Sequence, residues 1–105
     1  MKIFAETFKS NGTTALGGVS GTVEVDGIER NAVRMESGAI YIYGFIGKYR
    51  TSPKAWQASV SLINGRISVD FGRDDRSGRF QKQNMIQYAP DVFATLTNPK
   101  FWEAA

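Results

Sequence analysis

The 105-residue chain contains neither cysteine nor histidine. Without thiols there are no disulfides, no thiolate metal centre and no cysteine nucleophile. Without imidazole, the commonest metal ligand and the commonest general base near neutral pH are both missing. No apolar run approaches the roughly 20 residues that a bilayer-spanning helix needs. Glu6 interrupts the opening Met1-Lys2-Ile3-Phe4-Ala5 before a signal-peptide core can form, so the cytoplasm is the expected location. Proline occurs only at Pro53, Pro90 and Pro99, each at a change of pattern. These absences remove most metal, redox and His-based catalysis, and the expectation is a protein that is not an enzyme and has no cofactor.

What is present is ordinary globular composition, 42% hydrophobic and 22% charged. The length fits one domain over residues 1–105, with about 60 to 65% of the unfolded surface buried around a thin core. The net charge of +3 is unevenly placed: Lys48 to Lys82 carries eight basic residues against three acidic ones, and the remainder five against seven. Such a distribution suits either an ordinary soluble surface or a face that meets nucleic acid or an acidic partner.

The stretch from Trp56 to Phe71 specifies its own pairing. Asn64-Gly65 is the dipeptide of a two-residue type I′ turn, in which both central residues need φ above zero. Counting back from it, Ile63 faces Arg66, Leu62 faces Ile67, Val60 faces Val69 and Ala58 faces Phe71. Trp56, Ala58, Val60, Leu62, Ile67, Val69 and Phe71 then share one face, and Gln57, Ser59, Ser61, Ser68 and Asp70 the other. A one-residue slip would expose the apolar set at roughly 1.5 to 3 kcal/mol for each large side chain.

Around this hairpin, Lys2 to Lys9 reads as a strand ended by Asn11-Gly12, and Ser10 to Gly21 as a loop or weak edge strand. Gly17, Gly18 and Gly21 lack the lysine and hydroxyl that close a phosphate-binding P-loop, so a flexible segment is the better reading. Asp26-Gly27 marks a second hairpin, between Thr22–Val25 and Ile28–Met35, and sets Glu24 against Glu29. Like charges directly opposite call for a bulge or a solvent edge. A glycosidase-type carboxylate pair would need a cleft around it, and no other residue pattern supplies one. Asp70, Asp74 and Asp75 fit no calcium loop and have Arg73 and Arg76 beside them, which favours salt bridging over metal binding.

Ala39 to Ile46 is the most β-prone run, apolar on both faces: Ile40, Ile42 and Ile46 on one, Tyr41, Tyr43 and Phe45 on the other. It reads as a central strand whose aromatic row is either covered by the C-terminal segment or serves as a stacking platform. Arg79 to Tyr88 reads as a further strand, Asp91 as the cap of a helical turn over Val92–Leu96, and Asn98-Pro99 as a second cap before Phe101 and Trp102. Trp102 is expected to dock on the sheet. The expected fold is mainly β, a β-rich α+β arrangement. Six or seven antiparallel strands form a small barrel or a strongly bent sheet, with a short C-terminal helix packed on it.

Two functions fit. The first is single-stranded nucleic-acid binding, DNA or RNA, by Tyr41, Tyr43, Lys48, Tyr49, Arg50 and Lys54, with Arg73, Arg76 and Arg79 closing over the backbone. Duplex reading would normally need a helix or ribbon that presents side chains to base edges, and the one helical segment expected here is short, nearly uncharged and aromatic. The second is a protein-binding module of the kind phages and mobile elements encode, which inhibits or adapts a larger partner through an acidic surface on that partner. No membrane partner is expected, and a homodimer is compatible with either function.

Overall fold

A computed structural model describes residues 2–15, 17–44, 53–71 and 81–104. Its elements in chain order are α1 (Lys2–Glu6), β1 (Lys9–Ala15), β2 (Gly18–Val25), β3 (Ile28–Met35), β4 (Ile40–Gly44), β5 (Trp56–Ile63), β6 (Arg66–Asp70), α2 (Gln81–Tyr88), α3 (Pro90–Leu96) and α4 (Pro99–Ala104). The six strands form one antiparallel sheet in the order β1-β2-β3-β4-β5-β6, so every strand pairs with its neighbours in sequence. No ladder among the described residues joins β1 to β6, and the sheet is open there. No helix among them is long and apolar enough to cross a membrane.

The two hairpins follow their turn chemistry. Asn64 and Gly65 have φ of 52° and 75°, and Asp26 and Gly27 have 52° and 78°, as a type I′ turn requires. The β5–β6 ladder runs Ile63↔Arg66, Leu62↔Ile67, Val60↔Val69 and Ser59↔Asp70, in the register the turn sets. Trp56, Ala58 and Val60 are buried and Ile67, Val69 and Phe71 pack against them, whereas Leu62, near the turn, is 55% exposed. In the β2–β3 hairpin Glu24 lies directly opposite Glu29 with no bulge between the two strands. Lys9 Nζ on β1 is 3.5 Å from Glu29 Oε1, so a third strand supplies the opposite charge at an exposed position, where an ion pair contributes about 0 to 1 kcal/mol.

Three segments differ from the sequence reading. Residues 2–6, expected as strand, form α1; it ends where the Thr7 backbone N–H and hydroxyl both donate to the Phe4 carbonyl. Strand structure starts instead at Lys9, and Asn11-Gly12 lies inside β1, where the register with β2 shifts between Ser10 and Thr14. That irregularity makes β1 a poor template for further strands, a common protection for an edge. Gly18 and Gly21 belong to β2. Arg79 to Tyr88, also expected as strand, is helical from Gln81 (α2), while Arg79 and Phe80 lie outside the described residues. Gln81, Lys82, Gln83 and Met85 are good helix formers. The buried Asn84 fixes the helix, its Nδ2 donating to the carbonyls of Pro53 and Ala55.

All helices contribute to one layer on the isoleucine face of the sheet. Phe4 of α1, Met85 of α2, and Val92 and Leu96 of α3 join Val23, Val25, Ala32, Ile40, Ile42, Trp56, Ala58 and Val60 in the core. Asp91 does not cap α3. Ala89 takes the N-cap position without a side-chain bond, and the Asp91 carboxylate instead accepts from the Arg30 guanidinium, tying α3 to β3. Asn98 does cap α4, its Oδ1 accepting from the Lys100 N–H at 3.0 Å. Trp102 is half-buried and donates Nε1–H to the Leu96 carbonyl at 2.9 Å. Its ring stands edge-on to Phe4 at 5.4 Å and to Phe101 at 4.8 Å, so the first and last helices clasp each other through three aromatic rings.

Gly65→Val places a β-branched residue at φ above zero and is expected to cost about 1 to 3 kcal/mol. A urea midpoint equal to the parent's would contradict the turn assignment. Deleting residues 98–105 removes Phe101 and Trp102 from the clasp and should lower stability by at least about 2 kcal/mol. A truncated chain that melts with the parent would show the clasp to be dispensable.

Candidate functional site

Strand alternation decides what β4 offers. Ile40 and Ile42 are buried beneath the helices, so Tyr41 and Tyr43 project from the opposite face, where both are half-buried. The described C-terminal helices therefore do not cover these tyrosines. Cross-strand neighbours of Tyr41 on that face are Val33 on β3 and Ser59 on β5, followed by Asp70 on β6; Tyr43 faces Gln57. Ser20, Thr22, Asn31, Ser61 and Ser68 occupy the same face. It is an aromatic centre among small polar side chains, with Arg66, Lys9, Glu24, Glu29 and Asp70 toward its margins.

The sheet opens beside Tyr43. β3 pairs with β2 along its whole length but with β4 only through Ala32↔Ile42, Val33↔Tyr41 and Arg34↔Ile40. Beyond these three pairs β4 continues with β5, through Tyr43↔Gln57 and Gly44↔Trp56, and leaves β3 behind. The resulting cleft is a cavity of about 230 Å³ lined by Glu29, Arg30, Asn31, Tyr43, Gly44, Trp56, Tyr88 and Ala89. Gly44 permits its shape: a Cβ there would stand 2.5 Å from Trp56 Nε1 and Cε2, so only glycine lets the β4 backbone lie on the indole.

Two N–H groups in residues lining this cleft lack acceptors. Arg30 Nε and Trp56 Nε1 are both buried without a hydrogen-bond partner, although Trp56 is only 3% exposed. A buried donor left without an acceptor costs about 1 to 3 kcal/mol. At the rim, Lys54 Nζ lies 5.4 Å from the centroid of the Tyr88 ring, a cation–π distance.

Of the residues singled out from sequence, Tyr41 and Tyr43 share one sheet face, and Lys54 meets the cleft through Tyr88. Lys48, Tyr49, Arg50, Arg73, Arg76 and Arg79 lie outside the described residues, as do Asp74 and Asp75. No cluster of three or more potential metal ligands exists among the described residues. Sequence reasoning passed over Arg30, Tyr88 and the indole N–H of Trp56. Tyr88 was hidden by the strand assignment, whereas the orphaned donors follow from long-range packing that no local pattern signals. Comparison with protein-family models, with curated proteins and with solved structures finds no match for this chain.

Proposed function

We propose that this protein is a non-enzymatic binder of single-stranded nucleic acid, using the tyrosine face of the sheet as its platform. The observation that carries the reading is the position of Tyr41 and Tyr43, two residues apart on the face opposite the helices, with the polar Ser59 and Gln57 beside them on β5. Two residues of strand span roughly 6.5 to 7 Å, a separation at which two rings each take a base of an extended strand. Phosphates need cations, and in this reading they come from the periphery: Lys54 beside Tyr88, Arg66 on β6, and Lys48, Arg50, Arg73, Arg76 and Arg79 in the two basic segments, with Tyr49 adding a ring. Glu24, Glu29 and Asp70 on the same face restrict a polyanion to the centre, which favours a defined track over non-specific coating.

A second reading draws on a different observation. Leu62 and Ile63 are 55% and 56% exposed near the tip of the β5–β6 hairpin, one on each of its faces, where a protein partner that clasps the tip could cover both. In that case the domain is a module that docks on, and inhibits or adapts, a larger protein through an acidic surface.

Fluorescence titration with oligothymidine at two salt concentrations separates the readings. Tyr43→Ala should weaken the complex by about 1 to 3 kcal/mol at every salt concentration, through lost stacking. Lys54→Ala should flatten the plot of log affinity against log salt by about 0.7, the signature of one lost phosphate contact on a single strand. An absence of binding to DNA and RNA at low salt would eliminate the platform and leave the protein-binding module.

A further inference from the structure

From the cleft between β3 and β4 we infer a base-reading pocket that takes one acceptor-rich nucleobase, of the thymine or uracil type, out of a bound single strand. The inference rests on the platform reading and adds to it a specificity that stacking alone does not give. Stacking on Tyr41 and Tyr43 accepts any base, because every base has a π-face. The cleft differs in chemistry. Among its lining residues the two unmatched polar atoms, Arg30 Nε and Trp56 Nε1, are both donors, so what complements them is an acceptor.

Charge narrows the class of acceptor. The Arg30 guanidinium is already paired with Asp91, and the Glu29 carboxylate lines the same cleft. Glu29 is itself 3.5 Å from Lys9 Nζ, so both charged groups of the lining are already paired and neither leaves a cation free for an anion, whereas a neutral carbonyl oxygen needs only a donor. Size narrows it further. A water takes about 30 Å³ of liquid, and a cleft of about 230 Å³ therefore has room for a whole ring. Tyr43 and Tyr88 line it with aromatic rings, and Lys54 at the Tyr88 rim stands where the phosphate of an inserted nucleotide would remain outside. Both N–H groups are shielded from water in this arrangement, the indole one beneath the Gly44 backbone, so the β4 end at Gly44 must move off the indole for the base to reach them. Thymine and uracil carry two ring carbonyls and fit this requirement directly.

The test compares oligothymidine with the same oligomer carrying difluorotoluene in place of thymine, an isostere that keeps shape and stacking but loses the carbonyl acceptors. The parent protein should bind oligothymidine about tenfold more tightly, the scale of one or two hydrogen bonds to otherwise unsatisfied donors. Trp56→Phe, which keeps an aromatic ring but removes the N–H, should bring the two affinities together. Equal affinity of the parent for both oligomers overturns the pocket and leaves the stacking platform standing. Failure of both to bind at low salt overturns the platform and the pocket with it. Trp56 is a core residue, so if Trp56→Phe does not fold, the comparison on the parent protein decides alone.

Discussion

Ile40 and Ile42 of β4, paired across to Val60 and Ala58 of β5, are the centre on which both layers depend. Their side chains meet the helix layer, and each is fully buried. Burying a side chain of this size is worth about 1.5 to 3 kcal/mol, and β4 concentrates two such residues in five. Because alternation has a period of two, fixing the isoleucines inward fixes Tyr41 and Tyr43 outward. The outward placing of the tyrosines is thus a by-product of the core: no rotation of β4 exposes them differently without exposing the isoleucines as well.

The same constraint shapes the cleft. The β3–β4 ladder holds only where Ala32, Val33 and Arg34 can pair, and below Ala32 the two strands are claimed by different partners. β3 follows β2 down to the Asp26-Gly27 turn, and β4 follows β5 to the indole of Trp56. Arg30 sits where β3 departs, and its guanidinium is turned to Asp91 at the start of α3. This ion pair therefore ties α3 to one wall of the opening. Such a partly exposed pair contributes about 0 to 1 kcal/mol, so its effect is on geometry more than on stability.

Turn chemistry made four of the six strands of this sheet legible from the sequence. Asn64-Gly65 and Asp26-Gly27 act locally, and together with alternation they specify four strands and their registers. Two of the three misread segments have a common cause. In Lys2–Glu6 and in Gln81–Tyr88 the apolar residues are too few to distinguish a period of two from one of 3.6, and aromatic content pulled the assignment toward strand. Tertiary contacts decided otherwise: α1 forms where Phe4 meets Phe101 and Trp102, and α2 where Asn84 satisfies the carbonyls before β5. Of the site, the tyrosines could be read because they share a strand. The cleft could not, because Arg30, Trp56 and Tyr88 come from three elements that only the folded chain brings together.

The clasp between α1 and α4 has a consequence for how the chain is made. A meander in which every strand pairs with its predecessor can assemble as it leaves the ribosome, one hairpin after another, with low loop-closure cost. Phe4, almost wholly buried in the finished fold, cannot be covered in that way, because Phe101 and Trp102 follow every strand in synthesis. Throughout elongation the nascent sheet carries an uncovered aromatic ring at its first edge. The ring is covered only once α4 has emerged, which makes the interval before then the period of greatest exposure to chaperones and to misassociation.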